Sequence, residues 1–319
     1  MRRAVLAVAG AAVLWSSGGL FIKLAPMPAL AVACGRSLIA GVFYLLVLRP
    51  NLRAARWTTA AAYAACIVTF VSATKLTTAA NAIFLQYTGP AYVLLLSPFL
   101  LDEPFRPIDA VCVALSLAGM SLFFVGKVEP GQAFGNVVAI ASGVFFALAI
   151  VLLRRDAKGG SGDALPSTTL GNLLAAALTA PWAWQAAPSM LSVQGAAVLL
   201  YLGIVQLGLA YLLFTRGVRR VPAAEASLIS MLEPVLNPLW VLIGFGERPG
   251  PWAIAGGAVV IAAVVVRTLL PQPQRASTTS VWRIAAASSY HQSSGRPADA
   301  DRSGAAPTEE GNPAFPTAK

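Results

Sequence analysis

Residues 79–107 read AANAIFLQYTGPAYVLLLSPFLLDEPFRP, and residues 223–251 read AAEASLISMLEPVLNPLWVLIGFGERPGP. The two align without a gap at a constant offset, 79 to 223, of 144 positions. Ala79, Ala80, Ala82, Pro90, Leu95, Glu103 and Pro107 meet identical residues in the later segment, and Ala114 and Ala118 extend the match to 258 and 262. Shared alanines are weak evidence in apolar helices. The matched prolines and the pair Glu103 and Glu247 carry the weight. A fainter match at an offset of 131 sets Trp15 against Phe146 and Lys23 against Arg154.

The setting of this repeat is a membrane. Of 319 residues, 57% are hydrophobic and 11% charged; soluble domains carry about 25% charged residues. A span needs about 20 apolar residues, and the apolar runs predict ten. They cover about 4–24, 28–48, 57–77, 79–101, 107–126, 133–153, 165–182, 193–215, 222–245 and 250–270. Residues 164–215 are free of charge, and the turn signal APWAWQAAPS (180–189) divides them. The start, MRRAVLAVAGAAVLWSSGG, has the order of a secretion signal. Its removal would leave nine helices and spoil the pairing, so an uncleaved first helix is expected.

The net charge of +10 sorts by membrane side rather than marking a nucleic-acid surface. With the N-terminus in the cytoplasm, Arg2, Arg3, Arg49, Arg53, Arg56, Arg106, Arg154, Arg155, Lys158, Arg216, Arg219, Arg220, Arg267 and Arg275 flank the inside. Lys23, Lys75, Lys127 and Arg248 flank the outside. That asymmetry obeys the positive-inside rule and sets both termini in the cytoplasm. Each repeat holds five helices. Five is odd, so the second copy enters from the opposite side, as in the inverted repeats of alternating-access carriers. The expected architecture is an all-α polytopic membrane protein of ten transmembrane helices in two inverted five-helix repeats, residues 1–128 and 129–270. A Ser-, Ala-, Pro- and Gly-rich tail, 271–319, is expected to be cytoplasmic and disordered. Cys34, Cys66 and Cys112 fall inside spans and read as small packing residues rather than a disulfide set.

The paired segments, with LWSSGGLFIK in the first helix and CGRSLIAG in the second, resemble the drug/metabolite transporter superfamily, EamA type. The resemblance covers residues 4–270 and omits the tail. It implies a bacterial-type cytoplasmic-membrane carrier of export type for small metabolites such as amino acids, with its cavity framed by both repeats. Neither the residues nor the resemblance fixes the substrate, the coupling ion or a monomer over a homodimer.

The polar residues inside spans are the candidate site. Glu233 lies eleven residues beyond Pro222, about 16 Å deep and so near the midplane of the membrane. Ser230, Glu233 and Asn237 share one helix face. Pro234 and Pro238 each remove a backbone bond, freeing the carbonyls of Ser230 and Pro234. Broken backbone is tolerated at that depth where it lines a cavity or neighbours satisfy it. The other copy repeats the device with Pro90 and Pro98 beside Gln86, Tyr87 and Thr88. Arg36 lies about 12 Å down the second helix.

Two roles fit Glu233: proton coupling or cation binding, or a structural bridge to Arg36. Two fit Arg36: an anchor for a substrate carboxylate or phosphate, or a helix-end lock. Asn237 and Gln86 fit ligand contacts or interhelical hydrogen bonds. Trp15 fits a cavity wall or plain packing, and Asn172, Gln206 and Tyr211 are weaker candidates of the same kind. Trp182 and Trp184 suit an external aromatic belt; Glu103 and Glu247 suit loop caps or gates. No phosphate-binding loop and no nucleophile with a partner base is present, and the only histidine, His291, lies in the tail. An enzyme and a cofactor are therefore not expected. A small-molecule substrate and the lipid bilayer are the expected partners, with protons a candidate coupling ion. A passive facilitator, or a non-transporting scaffold, is the alternative.

Overall fold

The computed structural model describes residues 1–123, 125, 132–159, 162–245 and 250–270. Lys127, Glu247, Arg248, Arg275 and the tail lie outside the described residues. What is described is helical, without strands. The helices are α1 (Arg2–Leu24), α2 (Ala29–Leu48), α3 (Trp57–Leu76), α4 (Ala79–Leu101), α5 (Pro107–Leu122), α6 (Ala133–Lys158), α7 (Leu165–Gln185), α8 (Val193–Val218), α9 (Ala223–Ser230), α10 (Leu232–Phe245) and α11 (Pro251–Leu269). Among the described residues, α1, α2, α3, α4, α6, α8 and α11 are long and apolar enough to cross a membrane.

The exterior is apolar and the interior holds charge. Phe99, Ile243 and Leu6 stand exposed on the surface, while Arg36, Asp109, Glu233 and Arg267 are buried. In water such a surface would associate; against hydrocarbon it is the stable arrangement. Trp182 and Trp184 are exposed near the end of α7, as an interfacial belt requires. The three cysteines are free and buried.

Local chemistry explains where helices break. α1 is interrupted at Ser16–Ser17, between Arg2–Trp15 and Gly18–Leu24. The two hydroxyls bond back to the carbonyls of Val13 and Leu14, competing with the helical ladder. α4 is interrupted at Tyr87–Thr88, between Ala79–Gln86 and Gly89–Leu101. The break between α9 and α10 falls at Met231. In both, the proline that follows, Pro90 or Pro234, sits in the first turn of the next segment, where its missing N–H costs little. The backbone therefore parts just ahead of the proline rather than kinking around it. The turn expected at 180–189 starts late: α7 runs through Pro181 to Gln185, and a short helix, Ala187–Leu191, follows.

α3 packs on α6 and α7, α2 on α7, α1 on α8, and α5 on α11. Glycines permit the closest approaches. A Cβ at Gly256 of α11 would stand 2.2 Å from the carbonyl oxygen of Gly119 in α5. Because that atom is backbone, relief requires the helices to separate. Gly256→Ala is expected to lower stability by about 1–3 kcal/mol, readable as an earlier unfolding midpoint in detergent; an unchanged midpoint would refute the close contact.

Buried charge gathers at one end of the bundle. The Arg267 Nε donates to Asp109, and Glu225 lies 3.6 Å from the same guanidinium. Glu103 accepts from Arg154 Nε at 2.9 Å and from the backbone N–H of Ala223 at 2.9 Å, so it caps α9. Elsewhere, Lys23 Nζ donates to the carbonyl of Thr77, and Lys75 Nζ to that of Ala25, both at 2.8 Å. Each lysine thus serves the other helix's C-terminus, where cations are favoured.

Candidate binding cavity

A small cavity lies among α1, α2, α3, α4, α6, α8 and α10. Arg36, Gln86, Gln206 and Glu233 give it polar walls; Trp15 and Tyr211 give it aromatic ones. The breaks place Glu233 in this wall and Tyr87 behind it, outside the lining. Glu233 stands in the first turn of α10, just past the Met231 break. Tyr87 occupies the α4 break, and its hydroxyl donates to Glu233 Oε2 at 2.6 Å. One hydrogen bond therefore joins two broken helices 146 positions apart in sequence.

Arg36 is 1% exposed. Its Nε and Nη1 have no hydrogen-bond partner. Among the described residues no ion pair within 4 Å joins it to Glu233. A guanidinium buried with unused donors is a costly arrangement; the fork of a guanidinium matches the geometry of a carboxylate or phosphate.

The other expected residues divide. Gln86 lines the cavity and also donates to Ser142 of α6 at 2.9 Å, so it serves as interhelical glue as well. Trp15 packs with Tyr211 at 4.8 Å and Phe214 at 5.2 Å between ring centroids. Asn237 is half-buried beside Gly19 of α1 and does not line this cavity. Asn172 donates to the Tyr63 hydroxyl at 3.1 Å, away from the cavity wall.

Sequence reasoning passed over Cys66, Phe70 and Phe146, which line the cavity. Apolar side chains at span positions carry no signal that separates a wall from a core. It also passed over the contacts of the α1 break. Trp240 Nε1 donates to Ser16 Oγ at 2.7 Å, and Ser17 Oγ lies 2.8 Å from the Tyr201 hydroxyl. The Ser-Ser-Gly-Gly run was the available signal, since such pairs mark helix kinks.

Broken, tightly packed apolar helices around a small polar cavity define a multi-pass membrane protein. The EamA-like transporter family model matches residues 2–125 and 133–269. The chain belongs to the EamA-like transporter family. It is 26% identical over 278 residues to the uncharacterized transporter YwfM of Bacillus subtilis, covering 83% of this chain and 93% of that protein. It is 29% identical over 212 residues to the aromatic amino acid exporter YddG of Ancylobacter novellus, covering 63% and 71% of the two chains. An uncharacterized transporter of Archaeoglobus fulgidus is 27% identical over 208 residues, covering 63% of this chain and 71% of that one. A solved crystal structure superposes with a TM-score of 0.66 at 22% identity, covering 83% of this chain and 96% of that chain, a likeness of fold alone.

Proposed function

We propose that this transporter is a secondary active carrier that exports a small metabolite, an amino acid or related compound, by alternating access across the cytoplasmic membrane. The observation that carries the reading is the buried Arg36, which keeps two donors free inside a cavity it shares with Glu233. Arg36 anchors the substrate's anionic group. Glu233, joined to Tyr87, exchanges the coupling proton. Trp15 and Gln86 complete the wall, and Asn237 is a further polar contact in a conformation that opens past the α1 break. The aromatic amino acid exporter among the relatives makes amino acids the leading substrate class.

Ten spans in two inverted repeats, 1–128 and 129–270, suit this reading, with both termini cytoplasmic. α9 and α10 then form one broken span, as the halves of α4 do. Three features support the repeat. Ala79–Gln86 and Ala223–Ser230 keep the offset of 144 positions in the structure. The pairs α2 with α7 and α5 with α11 map onto themselves under exchange of the repeats, and α1 with α8 maps onto α6 with α3.

The test is flux of labelled amino acids into proteoliposomes, for wild type and Glu233→Gln, with and without an imposed pH gradient. Gradient-driven accumulation by wild type, lost in Glu233→Gln while downhill exchange persists, is the expected result. Equal accumulation by both proteins would remove Glu233 from coupling. Absence of accumulation in wild type would favour a passive facilitator using the same cavity.

A further inference from the structure

We infer that Gln206 sets the specificity of the cavity by accepting a hydrogen bond from the amino group of the transported compound. This inference rests on the reading of Arg36 as the anchor for the substrate's anionic end.

Gln206 is 3% exposed, and its Oε1 has no hydrogen-bond partner. An orphaned buried acceptor is costly and calls for an explanation. The residue's backbone setting is unusual. α8 winds as a π-helix over Tyr201–Leu209, a rare form found frequently at functional sites. The wider turn is held from α2: the Tyr44 hydroxyl lies 2.7 Å from the carbonyl of Gly208 and 3.1 Å from that of Leu207. The amide itself is wedged against α1, where a Cβ on Gly18 would stand 2.5 Å from Nε2. The sequence has thus left out a side chain at 18, reshaped the backbone at 201–209, and left a buried acceptor without a partner on a residue of the cavity wall.

Arg36 offers donors in the same cavity and Gln206 offers an acceptor. A ligand that satisfies both carries an anionic group and an N–H donor on one small frame. The aromatic walls of Trp15, Phe70, Phe146 and Tyr211 leave an apolar remainder for its side chain. An amino acid meets all three demands; a carboxylic acid of the same shape without the amino group meets only two.

The experiment compares the affinities of phenylalanine and 3-phenylpropanoate, measured as ligand-dependent shifts of the unfolding midpoint of the purified full chain. Wild type is expected to bind phenylalanine more tightly. Gln206→Met, which keeps the length and removes the acceptor, is expected to weaken phenylalanine roughly tenfold to hundredfold while leaving 3-phenylpropanoate within about twofold. Gln206→Glu, which keeps an acceptor, is expected to retain the preference, and it serves as the second variant if Gln206→Met does not fold; loss of the preference in Gln206→Glu overturns the inference. So does an equal loss for both ligands in Gln206→Met, or none for phenylalanine, because Gln206 would then pack or hold water. Wild type binding neither compound overturns the Arg36 reading and this inference together, whereas failure confined to the Gln206 variants leaves the Arg36 reading standing.

Discussion

Arg36→Met lowers flux of anionic or zwitterionic substrates at subsaturating concentration roughly tenfold to hundredfold and leaves the folded protein at least as stable as wild type; that pair of results is expected from the geometry. The side chain is 1% exposed, and two of its nitrogens have no partner. A lone charge at mid-membrane costs at least about 3 kcal/mol on insertion scales. Nothing in the described structure offsets that cost with a direct ion pair, so methionine breaks no bond of the guanidinium Nε or Nη1 and removes a desolvated charge. Glu233 keeps its hydrogen bond from Tyr87. Substrate, by contrast, loses a charge-assisted contact, for which about 1.5–3 kcal/mol is typical, or roughly tenfold to hundredfold in affinity. The unfolding midpoint in detergent and flux in proteoliposomes are the two measurements. A marked fall in the midpoint with flux intact would make Arg36 a helix lock and sink the anchor.

Asp109→Asn has the opposite signature. Asp109 and Arg267 are both buried and paired, and they tie α5 to α11. Breaking a buried pair from one side strands the other charge, and about 3–5 kcal/mol is the usual cost. Glu225, 3.6 Å from Arg267, offsets part of it, so the lower end is expected. The double variant Asp109→Leu with Arg267→Met strands neither member of the pair but takes Arg267 away from the buried Glu225, so it should recover only part of the loss, since changes at contacting sites are not additive. Chemical or thermal unfolding of the three proteins decides the matter: an Asp109→Asn midpoint equal to wild type would show that the pair is not holding these helices.

The contrast between these charges shows how far the sequence could be read. Arg36 and Glu233 were legible because each stands alone inside a long apolar run, where hydropathy leaves no other explanation. Asp109 and Arg267 were not. Arg267 lies near the end of its helix and reads as one of the basic flank, and Asp109 lies in the first turn of α5. Whether a charge at a helix end meets water or protein depends on a neighbour 158 positions away. Hydropathy scores each residue in its own window and cannot see that neighbour. Gln206 was visible only as a polar residue in a span; its importance comes from the π-helical backbone and the absent side chain at Gly18.

The sequence by itself determined the membrane character, the family and the neighbourhoods of the breaks at Pro90 and Pro234, because composition, apolar run length and the missing N–H of proline act locally. Tertiary structure alone decided which polar groups meet. It gave Glu233 the Tyr87 hydroxyl instead of Arg36, placed Arg36 and Gln206 on one cavity with Nε, Nη1 and Oε1 unpartnered, and turned Asn237 toward Gly19. The reason is physical: on an apolar helix every face can be buried, so the face each polar group presents is set by which neighbour packs there and how closely its glycines allow it to approach.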